Sequence, residues 1–114
     1  MSTHCYVAYP KTLESFRTLA GCLVGNSPRK LFTIVGQAGR NGGKPAVLFG
    51  MDTMDPLQVI RTEYGFPEFD CRFVCHDNDP DLPHFAPIIQ LEDESDSDYL
   101  IRVGVILFPV GQKH

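Results

Sequence analysis

The feature that most constrains this chain is a pair of apolar runs on either side of a glycine-rich turn, all within residues 30–51. The two runs, residues 31–35 and 46–49, are rich in β-branched and aromatic side chains, and the turn at residues 36–44 contains an Asn-Gly step. Such runs on both sides of an Asn-Gly step are typical of a β-hairpin. We therefore predict a hairpin around which the rest of a small domain is built.

The segments before and after the hairpin predict two helices and two further strands. Residues 4–9 form a short β-prone run, and residues 69–75 place phenylalanine and cysteine side chains on one face of a strand. Asp55, followed directly by proline, predicts the start of one helix. Thr12 is the predicted N-cap of the other, because apolar residues follow it at helical spacing. They are Leu13, Phe16, Leu19, Ala20, Leu23 and Val24.

The resulting element order, β-α-β-β-α-β, predicts the fold class. It is the order of the ferredoxin-like arrangement, in which two helices cover one face of a four-stranded antiparallel sheet. We expect a single α+β domain over residues 1–114, with its core at residues 4–76. A C-terminal β-hairpin at residues 86–109 is predicted to extend it.

This extension depends on residues 99–108, the most apolar run in the chain. Read as a strand, the run has apolar side chains on both faces, which predicts a strand inside the sheet or buried at an interface. An apolar strand at a sheet edge pairs readily with another chain. We therefore predict a partner interface on this segment. Its residues are Leu100, Arg102, Ile106 and Phe108.

The charges of the chain are segregated along the sequence. Residues 1–50 carry six basic and one acidic side chain (6 − 1 = +5), whereas residues 51–114 carry four basic and thirteen acidic ones (4 − 13 = −9). Such segregation produces a field that steers partners or drives self-association. We expect an acidic loop to meet the basic surface of residues 29–44, within one chain or across a homodimer. The acidic residues of this loop are Glu92, Asp93, Glu94, Asp96 and Asp98.

The glycine-rich turn is also a candidate site for phosphate or nucleic acid. Glycines allow a backbone to approach a phosphate, and basic side chains would supply charge. The residues of this candidate are Arg29, Lys30, Arg40 and Lys44, with Tyr6 as a stacking surface. Against it, no helix follows the turn as a phosphate loop requires, the aromatic motif of RNA-recognition modules is absent, and the chain is acidic overall. The competing interpretation is a plain hairpin whose glycines adopt positive φ.

Metal and catalytic chemistry have weaker support. Cys71, Cys75, His76 and His84, with nearby aspartates, include zinc-type ligands, but their spacing matches no standard site. No nucleophile motif is present, so a small enzyme with a pocket near His76 and His84 is only the second alternative. We predict no metal and no cofactor.

The function that the sequence favours is a non-catalytic binding or regulatory module that acts through protein–protein contact and self-associates. The alternative is the phosphate or nucleic-acid binder described above. No apolar run reaches the roughly 20 residues that a membrane-spanning helix needs, so no membrane partner is expected. No signal-peptide pattern is found at the start of the sequence, which predicts a cytoplasmic or otherwise intracellular protein with reduced cysteines.

Overall fold

The predicted central hairpin is present in the computed structural model, which describes residues 4–24, 30–39, 43–62, 71–75 and 84–109. Its two strands pair antiparallel, from Lys30 opposite Met51 to Ala38 opposite Lys44. In chain order the elements are β1 (His4–Pro10), α1 (Leu13–Leu23), β2 (Lys30–Ala38), β3 (Lys44–Met51), α2 (Pro56–Thr62), β4 (Cys71–Cys75), β5 (Ala86–Pro87) and α3 (Asp96–Leu107).

The strands form one sheet in the order β4-β1-β3-β2-β5, and every neighbouring pair is antiparallel. The small α+β domain predicted from the sequence is thus confirmed. The hairpin strands are longer than predicted, because β2 continues into the first part of the glycine-rich segment. Gly39 and Gly43 have φ of 105° and 67°, the conformation that favours glycine at a turn. Residues 40–42 lie outside the described residues.

Both predicted helix starts are confirmed by capping hydrogen bonds. The Ser15 N–H donates to Thr12 Oγ1 (3.0 Å) and the Thr12 N–H donates to Ser15 Oγ (3.2 Å), so two free donors of the first turn of α1 are satisfied reciprocally. At α2, the Gln58 N–H donates to Asp55 Oδ1 (3.1 Å). Each cap fixes where its helix begins.

Helices α1, α2 and α3 cover the same face of the sheet. Alternate residues of β1, β2 and β3 point toward them, because successive side chains of a strand point to opposite faces. The main core consists of Ala8, Phe16, Leu19, Ala20, Leu23, Val35, Val47, Phe49, Met51, Val59, Ile60, Tyr99, Val103 and Leu107. A smaller cluster on the opposite face contains Val7, Tyr9, Ala38 and Ala46, with Leu48 and Phe85 packed against it.

The predicted C-terminal β-hairpin is wrong, because residues 96–107 form a helix instead of a strand. Ser95 caps it, accepting a hydrogen bond from the Asp98 N–H (3.1 Å), and aspartates in the first turn suit the positive end of the helix dipole. Tyr99, Val103 and Leu107 recur every four residues and are buried. Burial of that stripe against α1 outweighs the β-propensity of the valines and isoleucines.

A first prediction concerns Gly36, where β5 approaches β2 closely. A Cβ there would collide with the carbonyl oxygen of Ala86 and lie 2.8 Å from the Cα of Pro87, both backbone atoms. Gly36→Ala should therefore displace β5 and destabilise the protein by about 1–3 kcal/mol in urea unfolding. Gly21→Ala is the matched control, because a Cβ there meets nothing within 4 Å and should stabilise α1 by up to about 1 kcal/mol. Equal stability of the two variants would contradict the close approach.

Candidate binding site at the edge of the sheet

The described residues cover only part of the outer edge of β2. Within the described residues, β5 pairs with Gly36 and Gln37 alone. One further bond, from the Ile88 N–H to the Val35 carbonyl oxygen (2.8 Å), continues this contact. On the other side of β2, the register with β3 is regular from Phe32 to Ala38 and irregular between Lys30 and Phe32. Residues 32–34 therefore form a short regular stretch that β5 does not cover.

The Tyr99 hydroxyl ends the pairing between β2 and the segment that follows β5. It donates to the Ile88 carbonyl oxygen (2.6 Å) and accepts a hydrogen bond from the Val35 N–H. In a continuous ladder this N–H and this carbonyl would bond to each other. The hydroxyl takes the place of that bond and holds the two backbones apart. Burial raises the pKa of Tyr99, so the hydroxyl keeps its proton at neutral pH.

The direction of the backbone groups along β2 follows from the Val35 contact. Val35 directs its carbonyl toward β5, and groups alternate along an antiparallel strand, so Thr33 directs its N–H and carbonyl to the same outer edge. The backbone of Ile34 faces β3 instead, opposite Leu48. Thr33 is further positioned by its hydroxyl, which donates to the Leu23 carbonyl oxygen (3.0 Å). Within residues 32–34, the edge that the described part of the chain leaves uncovered thus presents one backbone donor and one acceptor, both on Thr33.

Arg102 holds in place residues 88–95, the segment between β5 and α3, which we call the braced segment. Its Nε donates to Glu94 Oε2 (2.7 Å), and its Nη2 donates to Glu94 Oε1 (2.8 Å) and to the Ile89 carbonyl oxygen (2.8 Å). The Leu91 N–H also donates to Glu94 Oε1 (3.1 Å). The side-chain hydrogen bonds from Arg102 hold the pKa of Glu94 below its ordinary value. A bidentate pair of this kind fixes geometry as well as charge, so the segment has a defined position over α3.

A cavity of about 310 Å³ lies between the uncovered edge of β2, the braced segment and α3. Gln90 holds one wall, because its Nε2 donates to the Glu94 carbonyl oxygen (2.9 Å) and to Asp96 Oδ1 (3.0 Å). Asp96 is the one charged residue among the described residues that line it. The lining residues are Val24, Thr33, Ile34, Ile88, Ile89, Gln90, Asp96 and Tyr99. Backbone edge, apolar walls and a carboxylate therefore meet at one place.

Helix α3 places the four residues of the predicted partner interface in different surroundings. Leu100 and Phe108 are partly buried and pack against the main core, and the Phe108 ring lies 5.8 Å from that of Phe16. Arg102 is engaged by Glu94, and Ile106 is 44% exposed. The strand interpretation did not single out the two other exposed apolar residues of α3, Ile101 and Val105.

The residues predicted to bind phosphate or nucleic acid are not brought together among the described side chains. Arg29 and Arg40 lie outside the described residues, and Lys30 begins β2. Tyr6 packs on the helix-covered face, with its ring 5.8 Å from Phe49 and its hydroxyl donating to the Thr53 carbonyl oxygen (2.7 Å). Lys44 Nζ lies 4.7 Å from the centre of the Tyr9 ring, on the opposite face. Tyr6 and Lys44 therefore do not share a surface.

Two side chains of the acidic loop contact nearby residues of the described chain. Glu94 binds Arg102, and Asp96 accepts from Gln90. Glu92, Asp93 and Asp98 are exposed. The contact predicted with residues 29–44 involves positions outside the described residues and stays a prediction.

The described residues offer little for metal or thiol chemistry. They contain no group of three histidine, cysteine or acidic side chains arranged to hold a metal ion. Cys5 and Cys22 are partly buried, and burial raises the pKa of Cys22 to about 11, which keeps it protonated at neutral pH. His84 is exposed, whereas His76 lies outside the described residues, so the pocket predicted from the two histidines stays a prediction.

Comparison with known proteins finds no matching family model, no matching curated protein and no matching solved structure. Among the described helices, none combines the length and the apolar character that crossing a bilayer requires.

A second prediction tests the bridging hydroxyl. Tyr99→Phe removes the atom that satisfies both the Val35 N–H and the Ile88 carbonyl. Leaving these groups without their partner should cost about 1–3 kcal/mol in urea unfolding. In the native protein the Val35 amide should also exchange faster with solvent, whereas the Ile34 amide, paired with β3, should keep its rate. Unchanged exchange at Val35 would show that the hydroxyl does not hold this edge.

A third prediction concerns the brace and its pH dependence. Because the pKa of Glu94 is lowered in the folded protein, its ionised form stabilises the fold above the ordinary value of 4.5, and this contribution is lost as pH falls through the lowered value. Glu94→Gln should therefore destabilise the protein more at pH 7 than near pH 3. Glu92→Gln removes an exposed carboxylate of the same loop and serves as the control. Parallel stability curves for wild type and Glu94→Gln would contradict the brace.

Proposed function

We propose that this protein is a non-catalytic module that binds another protein by adding an extended segment of its partner to the open edge of β2. The observation that supports it is the shortness of β5, which pairs with two residues of a nine-residue strand. Unpaired edge groups of a sheet are a template for a further strand. The Tyr99 hydroxyl limits how far β5 can cover that edge, so the opening is built into the core.

The size of the edge sets how strongly a strand alone would bind. Thr33 offers one donor and one acceptor, and a hydrogen bond contributes about 0.5–1.5 kcal/mol net. Two such bonds do not offset the cost of association, which is at least about 4 kcal/mol. The partner must therefore gain affinity from side-chain contacts beside the edge.

Apolar side chains around the edge supply such contacts. Ile34 is 36% exposed on the strand itself, and Ile89 and Leu91, on the braced segment, are 67% and 56% exposed. Large apolar side chains left in water beside an open edge mark an interaction surface more often than isolated ones do. Because the Arg102 brace fixes this segment, its apolar side chains need little ordering when a partner binds.

The predicted self-association depended on a strand at residues 99–108, and most of that segment is helix α3. A second copy could still pair through β2, but symmetric pairing extended past residue 34 would meet the Ile88 contact of the other copy. An extended segment of a different protein avoids this conflict, and we propose that it is the partner. The alternative is a phosphate or nucleic-acid binder. Of its predicted basic residues, only Lys44 has a described side chain, and Tyr6 lies on the other face of the sheet.

We also infer that the sheet is ferredoxin-like with one added edge strand. The support is the strand order β4-β1-β3-β2 with antiparallel neighbours. Two βαβ units joined by a hairpin form such a sheet in the ferredoxin-like arrangement. In this interpretation β5 is an addition to the usual edge, and α3 is an additional helix that packs beside α1.

A fourth prediction tests strand addition with a displayed library of random linear peptides, from which binders to the full chain are selected and synthesised. Thr33→Pro removes the outward N–H without touching the bonds between β2 and β3, and proline is tolerated at such edge positions. Selected peptides should bind this variant at least about tenfold more weakly. This corresponds to a loss of about 1.4 kcal/mol of binding free energy with the hydrogen bond from the Thr33 N–H.

The matched control is Thr33→Val, which loses the same bond to Leu23 as the proline variant but keeps the outward N–H. It should bind the peptides nearly as wild type does. If Thr33→Pro does not fold, amide exchange in wild type replaces it, and the Thr33 amide should become protected when peptide binds. Failure to obtain any peptide that contacts β2, or dimerisation through this edge without peptide, would overturn the proposal.

A further inference from the structure

We infer that the cavity beside the open edge accepts the cationic end of a lysine or arginine side chain carried by the bound segment. The inference rests on the proposed strand addition for the origin of that side chain. Its own evidence is the cavity: a carboxylate, apolar walls and the uncovered backbone of Thr33 around one space of about 310 Å³.

The strand register directs one side chain of the partner into this space. Residues directly opposite each other in paired strands point to the same face of the sheet. The side chain of Thr33 points toward the helices, because Val35, two residues along, belongs to the helix-covered core. A partner residue opposite Thr33 would point to the same side, where Tyr99 and Asp96 line the cavity.

The charge around the cavity favours a cation. Residues 84–109 contain five carboxylates and one basic side chain, Arg102, which is already bound to Glu94. Of the other acidic residues in this segment, Asp96 lines the cavity itself. The N-terminus of α3 contributes about half a positive charge, which offsets only part of the negative charge of Asp96.

The size and the walls of the cavity fit a single long side chain. Its volume is at the lower end of the roughly 300–1,000 Å³ of small-molecule pockets. Ile88, which lines the cavity and packs against the main core on this face, would contact the methylene stem, and Asp96 would take the charged head, as long cationic side chains commonly arrange themselves. Asp96 is positioned for this by Gln90, whose amide donates to Oδ1.

The test uses small probes that need no strand. n-Butylguanidinium, n-butanol and butyrate are titrated into the full chain, and the amide signals of Thr33 and the side-chain amide of Gln90 are followed by NMR. We expect saturable shifts with n-butylguanidinium at about millimolar affinity, and weaker binding of the other two. Asp96→Asn keeps an acceptor for Gln90 and removes the charge, so it should weaken binding by about tenfold.

Asp98→Asn is the matched control, because it removes an exposed carboxylate from the same helical turn outside the cavity lining. It should change the affinity much less than Asp96→Asn. Equal effects of the two variants, equal binding of butyrate, or no shift with n-butylguanidinium would overturn the inference.

A final arm identifies the source of the cation and separates this inference from the proposed function. In selected peptides, replacing arginine by its neutral isostere citrulline should weaken binding to wild type by about tenfold and to Asp96→Asn much less. Peptides that pair with β2 but carry no basic residue would leave strand addition standing and remove this inference. Binding of n-butylguanidinium without any peptide that pairs with β2 would leave a cation-binding cavity but remove strand addition as the source of the cation.

Discussion

The hydroxyl of Tyr99 determines how much of the sheet edge is closed. It stands between the Val35 N–H and the Ile88 carbonyl, where a continuous ladder would have joined β2 to the following segment. Its ring belongs to the main core, so the position of the hydroxyl is fixed by α3 packing against the sheet. A core contact therefore sets the length of the uncovered edge.

The segment between β5 and α3 owes its shape to charge pairing rather than to regular structure. Arg102 binds both the Glu94 carboxylate and the Ile89 carbonyl, and its guanidinium also lies 5.7 Å from the centre of the Tyr99 ring. The same helix therefore ends the ladder with one residue and braces the departing chain with another. The cavity is the space that these two contacts leave beside Thr33.

Local sequence signals predicted the elements whose boundaries are set locally. Thr12 and Asp55 begin helices as predicted, because capping depends on neighbouring residues. Helix α3 was missed because its outward positions, including Ile101 and Val105, are as apolar as its buried ones and conceal the helical stripe. Ser95 followed by two aspartates was the available start signal. The site itself could not be predicted, because it joins β2, the braced segment and α3, which are far apart in sequence.

The most direct test of this account is amide hydrogen exchange along β2 in the wild-type protein without a partner. Ile34 and Gly36, paired with β3, and Val35, bonded to Tyr99, should exchange slowly. Thr33, whose N–H faces the uncovered edge, should exchange much faster than these three. A Thr33 amide as protected as its neighbours would mean that the edge is already closed, and the proposed binding site would not exist.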